Sequence, residues 1–268
     1  MSDTAIIGSI GASRKSIGIR AARHLELSFR TFTAGHGGEA AADYLRWVTG
    51  EAHPMGNVVV VSRADAARAA LAAVETLARE NLPSCVLCPD GVSPAAARAL
   101  SAFGFADAGA IPAMAVDIGR LRATTLPAGY ALVRAAEGRS GQAWADALAE
   151  GYGLPPGLAR RFSPEELGAD LAADARIQYF SIVRDGRAVA TSMLFLADGL
   201  AGIYCVATRP AERGKGLGAH ATAEALRIAR TLGYGVGVLQ SSTAGHSIYV
   251  GLGFADVGAV PMFVRMPK

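Results

Sequence analysis

A glycine-rich segment between two regular patterns is the part of this sequence best suited to bind a ligand. The segment reads Arg213-Gly214-Lys215-Gly216-Leu217-Gly218. A β-like run at 202–208 precedes it, and an alanine-rich helical pattern at 219–232 follows it. Glycines let a backbone turn tightly and approach a ligand closely, and the first turn of a helix offers free N–H groups and partial positive charge. The segment is therefore predicted to hold an anionic group such as a phosphate.

Two common phosphate-binding motifs do not fit this segment. A Walker A loop needs Ser or Thr after its Gly-Lys pair, and here Gly216 follows Lys215. The relaxed dinucleotide motif matches Gly214-x-Gly216-x-x-Ala219, but it also predicts an acidic residue about 20 positions later. The next strand ends in Leu239-Gln240-Ser241-Ser242 and carries no acid. An NTPase is not expected, and a nucleotide-dependent oxidoreductase is disfavoured.

A third interpretation rests on two motifs. The first runs from Ile203 to Gly218 and ends in Arg-Gly-x-Gly-x-Gly after a strand, and the second runs from Tyr249 to Gly253-Phe254. Together they resemble the GNAT superfamily of acyl-CoA-dependent N-acetyltransferases. The resemblance implies an α/β fold of the GNAT type, with a mixed, largely antiparallel central sheet flanked by helices.

The order of predicted elements in the second half agrees with that family. A first strand at 130–134 is followed by helices at 142–150 and from 163 onward, and then by strands at 177–183 and 188–196. Asp-Gly between the last two is a strong hairpin signal. The cofactor strand, a helix, a strand at 236–240, a helix at 244–252 and a final strand complete the order.

The resemblance also assigns residues to acyl-CoA. They are Val206, Ala207 and Thr208 of the cofactor strand, Arg213, Gly214, Lys215, Gly216, Leu217 and Gly218 of the loop, and Ser242. It implies that the strand backbone pairs with the pantetheine arm and that the loop amides hold the pyrophosphate. Leu217 is expected to pack inward. The Arg213 and Lys215 side chains either bind the cofactor or are solvated, and Ser242 either contacts pantetheine or caps the next helix.

Tyr249 is the expected general acid, because a phenol with a pKa near 10 can donate a proton to the sulfur of a leaving thiol. The other interpretation is an aromatic ring packed in the core. The general base stays open among Glu150, Glu166, Asp198, His246 and a water chain. The implied reaction moves an acetyl group to a primary amine of a small molecule or protein. The alternative is a module that senses acyl-CoA without turnover.

The chain contains an internal repeat. Residues 104–112 recur at 253–261 with seven of nine positions identical, and similar strand and helix patterns precede both. We therefore expect two GNAT-like copies in tandem: a degenerate domain at 1–124 without the cofactor loop, and a catalytic domain at 125–268. The first copy has Ser62-Arg63-Ala64-Asp65-Ala66-Ala67 at the loop position, where Asp65 would repel a pyrophosphate. It has Leu100 at the position of Tyr249.

Composition narrows the class of protein further. The net charge is only +3 and no basic block is present, so nucleic acid is not an expected partner. No apolar run approaches the ~20 residues of a membrane span, and no secretion signal is visible. Three cysteines, two of them in a predicted buried strand (Cys85 and Cys88), favour a reducing cytoplasm. No metal-ligand spacing occurs, and a homodimer is possible.

Overall fold

The computed structural model describes residues 13–34, 36–63, 67–168 and 175–267. The part of the first-copy loop at 64–66, with Asp65, lies outside these ranges. Contacts divide the chain into two compact units. One consists mainly of residues 114–256, here called the C-terminal unit, and the other of residues 15–113 and 257–268, here called the N-terminal unit. No described helix is both long and apolar enough to cross a membrane.

The N-terminal unit builds a mixed sheet. Its elements are α1 (Arg14–Thr33), β1 (Glu39–Ala40), β2 (Tyr44–Val48), β3 (Asn57–Val61), α2 (Ala67–Glu80), β4 (Ser84–Leu87), α3 (Pro94–Ala102) and β5 (Ala106–Asp117). The strand order is β1-β2-β3-β4, followed by the last strand of the chain, β11 (Ala255–Arg265), and then β5. β3 and β4 are parallel, whereas β4 and β11 are antiparallel.

The C-terminal unit contains the remaining strands. Its elements are β6 (Tyr130–Ala135), α4 (Arg139–Tyr152), α5 (Pro156–Arg161), α6 (Pro164–Leu167), β7 (Ile177–Arg184), β8 (Arg187–Ala197), β9 (Leu200–Thr208), α7 (Leu217–Thr231), β10 (Val236–Gln240) and α8 (His246–Leu252). The strand order is β5-β10-β9-β8-β7-β6. Strands β6 to β9 pair antiparallel, and β9 pairs parallel with β10. The predicted fold class, a mixed and largely antiparallel sheet with flanking helices, is confirmed.

Local sequence signals explain several of these elements. The β7–β8 hairpin turns at Asp185 and Gly186, with φ of 49° and 74°, the left-handed pair that a tight hairpin of this hand requires. Ser163 Oγ accepts a hydrogen bond from Glu165 N at 3.3 Å and thereby caps α6, whose first residue is Pro164. The β2 strand was not predicted.

The internal repeat is visible in three dimensions. Gly104 and Gly253 follow α3 and α8 with φ of 83° and 104°, and the phenylalanines after them, Phe105 and Phe254, are both buried. The final strands are exchanged, however: β11 lies beside β4, and residues 114–117 of β5 belong to the unit that contains β10. The ranges of the two contact-defined units alternate along the sequence. The functional division into 1–124 and 125–268 stays a prediction.

Candidate functional site

The parallel strands β9 and β10 diverge toward their carboxyl ends. Their pairing runs through Gly237–Ala201 and Val238–Gly202, whereas β9 continues to Thr208. The corresponding pair in the N-terminal unit differs, because β3 and β4 stay paired to Val60–Leu87, one residue before β3 ends. In the C-terminal unit the pairing with β10 therefore stops before the C-terminal part of β9, and the β10 side of that part is here called the cleft.

A β-bulge shapes the strand that borders this cleft. Thr191 pairs with Ala207 and Met193 with Tyr204, so Cys205 and Val206 together face one residue of β8. Cys205 has a φ of 51°, which is uncommon for a residue other than glycine. Thr191 Oγ1 donates to the Cys205 carbonyl at 2.7 Å and holds the bulge in place. Such bulges redirect side chains next to active sites.

Beyond the bulge, alternate amides of β9 face the cleft. Ala207 N donates to Thr191 Oγ1 at 3.3 Å, and Arg209 N donates to Val189 O at 2.9 Å, so both point toward β8. Because successive residues of a strand direct their N–H groups to opposite sides, Val206 and Thr208 present theirs toward the side of β10. These are the two strand positions that the resemblance assigned to pantetheine.

The glycine-rich segment forms a turn that leads into α7. Gly214 and Gly216 have φ of 79° and 75°, and a Cβ at either would meet nothing within 4 Å. No side chain caps α7, which begins at Leu217 and has no acidic residue in its first turn. Its first amides are thus available to an anion. Leu217 itself is buried in an apolar cluster with Ile182 and other residues, as expected.

The two basic side chains of the segment bind protein groups. Arg213 Nη2 donates to Gly151 O at 2.8 Å, and its Nε donates to Thr208 O at 3.3 Å. Lys215 Nζ donates to Glu212 Oε2 at 2.7 Å and to Tyr130 Oη at 3.0 Å. Arg213 therefore fixes the end of α4 against the end of β9, whereas Lys215 brings positive charge to the rim of the loop.

Ser242 and its surroundings precede the helix that carries Tyr249. Ser242 Oγ accepts a hydrogen bond from Gly245 N at 3.2 Å, and its carbonyl accepts from His246 N at 3.1 Å. The helix begins at His246, with Gly245 as N-cap and no side-chain cap, so Ser242 holds the turn before the helix and does not cap the helix itself. The role of Ser242 toward pantetheine stays a prediction.

Tyr249 lies in a cluster of weak acids at the bulge. Its ring packs edge-on against Phe254, with ring centroids 5.8 Å apart, and burial raises its pKa to about 12. Burial likewise raises the pKa of the Cys205 thiol to about 12. Burial, with smaller contributions from the nearby Tyr249 and Cys205, raises the pKa of Tyr152 well above its usual value, although half of that residue is exposed.

Sequence reasoning assigned no place in this cluster to two of its members, Tyr152 at the end of α4 and Tyr179 on β7. Burial first, and then the neighbouring Cys205, raises the pKa of Tyr179. The positions of both depend on which face of the sheet α4 covers and on a bulge that no local pattern marks.

The candidate general bases have different surroundings. Glu150 pairs with Arg209 and Arg187, and the hydrogen bond from Arg209 is the main cause of its lowered pKa. Glu166 lies 3.8 Å from Arg161. His246 is on the same helix as Tyr249, with Nε2 2.9 Å from Asp256 Oδ1. Asp198 lies in the β8–β9 turn with a φ of 49°.

Known proteins share this architecture. Residues 143–254 match the model of the Acetyltransferase (GNAT) family. A GCN5-related N-acetyltransferase from Kribbella flavida is similar in structure, with a TM-score of 0.67 and 21% identity, over 92% of this chain and 96% of that one. No curated protein matches the chain.

Two further solved structures are similar at lower scores. A GCN5-related N-acetyltransferase from Sphaerobacter thermophilus has a TM-score of 0.59 at 17% identity, over 83% of this chain and 76% of that one. A tandem GNAT protein from the clavulanic acid biosynthesis pathway has a TM-score of 0.50 at 16% identity, over 78% and 74% of the two chains. At these sequence identities the structural similarity supports the fold alone, including its tandem arrangement. The family match bears on the chemistry: residues 143–254 match the acetyltransferase domain of the GNAT family, whose members take their acyl group from acyl-CoA, and this match identifies an acyltransferase domain in the chain.

Proposed function

We propose that the C-terminal unit transfers an acetyl group from acetyl-CoA to a primary amine of a small molecule or a protein. One arrangement carries the proposal: an uncapped helix start bounded by left-handed glycines follows a strand whose Val206 and Thr208 amides point to the side on which its pairing with β10 has stopped. The same strand carries the bulge at which Tyr249 and Cys205 are clustered.

The residues present fit the parts of acyl-CoA. The Gly214 and Gly216 backbone and the first turn of α7 suit a pyrophosphate, since neither glycine has a side chain to block a close approach. The amides of Val206 and Thr208, which point to the side of β10, suit the amide groups of a pantetheine arm. When bound, acyl-CoA supplies a thioester whose acyl carbon is open to attack by an amine. A backbone amide near Val206 would then polarise an acyl oxygen.

Tyr249 is proposed to protonate the departing sulfur. A phenol with a pKa of about 12 is a poor acid for a thiolate in water, whose conjugate thiol has a pKa near 8.5. Cys205 shows what the same surroundings do to a thiol, because burial raises its pKa to about 12 as well. Burial at this point is therefore expected to raise the proton affinity of a departing thiolate as well, which favours transfer of the Tyr249 proton to the sulfur.

The same burial bears on the acceptor amine. A low-dielectric site disfavours a charged ammonium and lowers the pKa of an amine that enters it. An amine bound at this cluster therefore gives up its proton more readily than in water, and a strong general base is not required. The stretch 151–156, which joins α4 to α5, is proposed to form the wall against which the acceptor binds.

The N-terminal copy, residues 1–124, is proposed not to bind acyl-CoA. Its parallel strands stay paired almost to the end of β3, so no strand backbone is left open to a pantetheine arm. Its loop begins with Ser62 and Arg63 and carries no glycine. A packing role is sufficient to explain the presence of residues 1–124.

The test is a screen of amines with acetyl-CoA, in which released thiol is followed with DTNB, repeated with Tyr249→Phe. We expect kcat to fall about 100-fold or more, as loss of a general acid does, with the acetyl-CoA KM little changed. Tyr234→Phe is the matched control, because Tyr234 packs against the same core cluster and has no proposed role. If Tyr249→Phe turns over at the wild-type rate, Tyr249 is not the general acid. Tight CoA binding without turnover of any amine would indicate the sensor instead.

A further inference from the structure

The face of β7 that α4 covers carries buried hydroxyl groups in place of purely apolar side chains. Tyr179 is 1% exposed, and its ring meets Trp144 of α4 edge-on at a centroid distance of 5.2 Å. Ser181, two residues along the strand and hence on the same face, is 2% exposed. Positions sandwiched between a sheet and a helix are ordinarily filled by apolar groups.

The Tyr179 hydroxyl has no hydrogen-bond partner among the residues that the structure describes. Folding removes this hydroxyl from water, and a buried donor left unsatisfied destabilises the native state. Buried polar groups are nearly always hydrogen-bonded, so an exception calls for a specific explanation. Phenylalanine would fill the same space without the penalty, which indicates that the hydroxyl is kept for something other than packing.

The location of Tyr179 suggests what that is. In the sheet register Tyr179 is opposite Met193, and Met193 is opposite Tyr204, the residue before the bulged Cys205. The Cys205 thiol is near enough to influence the ionisation of the Tyr179 phenol. Tyr179 therefore approaches the reaction centre from the side covered by α4, whereas the pyrophosphate loop leads into α7.

A second phenol near this point lies at the end of α4. Tyr152, the last residue of that helix, is 50% exposed, yet its phenol is also near Cys205 and Tyr249. Tyr152 thus extends from solvent to the cluster.

We propose that Tyr179 is an acceptor-binding residue, whose hydroxyl donates a hydrogen bond to an oxygen of the amine substrate. This inference rests on the acetyltransferase function proposed above. Because a buried phenol stays protonated at neutral pH and acts as a donor, the matching acceptor is an amine that also carries a carbonyl, ether or similar oxygen. A simple alkylamine would leave the Tyr179 hydroxyl unsatisfied.

The experiment compares Tyr179→Phe with wild type and with the matched variant Tyr234→Phe. Without ligand, Tyr179→Phe is expected to melt about 2–4 °C higher, because an unsatisfied hydroxyl is removed. In Tyr179→Phe the KM for the best amine of the screen is expected to rise about tenfold, whereas the KM for acetyl-CoA stays within about twofold of wild type. Tyr234→Phe is expected to leave both KM values unchanged.

Two results would overturn the inference while wild type remains active: an acceptor KM unchanged in Tyr179→Phe, or a melting temperature lower than wild type, since the latter shows that the hydroxyl already has a partner in the free protein. If the panel contains amines with and without an oxygen and wild type prefers the plain alkylamines, the inference also fails. An inactive wild type would instead count against the proposed function, and the melting temperature would still decide whether the hydroxyl is satisfied.

Discussion

Burial determines the proton chemistry of the residues around the bulge in β9. Tyr249 and Cys205 both have a pKa near 12 for the same reason, loss of water around the charged form. The second motif pointed to Tyr249 as the weak acid, but nothing in the sequence pointed to Cys205 as a second weak acid at the bulge. Cys205 lies within the first motif, but the motif assigned no role to it, and its left-handed backbone is a consequence of strand pairing.

The pH dependence of the rate follows from these values. Tyr249 is active in its protonated form, and with a pKa of about 12 it stays protonated throughout the ordinary assay range. The value of kcat/KM should rise with pH as the acceptor loses its proton, and it should show no descending limb below about pH 10. Product formation followed by chromatography between pH 6 and pH 10 checks this. A descending limb with a midpoint below pH 9 would contradict the assignment.

The basic residues of the loop show where sequence reasoning reached its limit. Arg213 and Lys215 were expected either to bind the cofactor or to be solvated, and the structure places both on protein partners. A positively charged side chain next to a glycine loop carries no information about a carbonyl 62 residues away, which is the one that Arg213 contacts.

At the scale of elements, the turn between β9 and α7 was largely predictable. Glycine at 214 and 216 marks positions that require left-handed backbone, and the alanine-rich run that follows favours helix. The structure starts α7 at Leu217 and ends it at Thr231, close to the predicted bounds. The divergence of β9 from β10 could not be read from either strand alone, because it depends on where their pairing stops.

Two glycines with similar backbone conformations allow the effect of a substitution on acetyl-CoA binding to be separated from its effect on stability. Gly216 and Gly233 have φ of 75° and 90°, and a Cβ at either meets nothing within 4 Å. Alanine at each should therefore destabilise the protein by a similar amount, about 1 kcal/mol. We expect Gly216→Ala to weaken acetyl-CoA binding about tenfold or more, because the new methyl group occupies the predicted pyrophosphate site. Gly233→Ala should bind normally.

Isothermal titration and urea unfolding of both variants make the comparison. If Gly216→Ala and Gly233→Ala bind acetyl-CoA equally well, the turn does not hold the pyrophosphate. If Gly233→Ala alone is destabilised, the two positions are not matched and the stability argument fails.

For the whole molecule, the sequence indicated two repeats but not the exchange of their last strands. Hydrophobic patterns specify which face of β5 or β11 is buried, and both strands carry nearly the same pattern in 104–112 and 253–261. Either strand could therefore pair beside β4 or β10 on local grounds. Only the assembled contacts place β11 next to β4.

The exchange of the final strands predicts which fragments of the chain can fold cooperatively. Met114 and Val116 of β5 are fully buried in the core of the C-terminal unit, and burial of such side chains contributes about 1.5–3 kcal/mol each. A fragment of residues 125–268 should therefore not unfold cooperatively, whereas a fragment of 114–268 should. Thermal unfolding followed by circular dichroism distinguishes them. Equal, cooperative melting of both fragments would show that residues 114–117 are dispensable.

Hydrogen–deuterium exchange with and without acetyl-CoA tests the central claim most directly, since it reports on individual backbone amides across the chain. The account predicts slower exchange at Val206, Thr208 and the amides of 217–219 when acetyl-CoA is present, with no change at Ser62 and Arg63 of the first copy. Unchanged exchange at the former amides under saturating acetyl-CoA, or protection at the end of β3 instead, would contradict it.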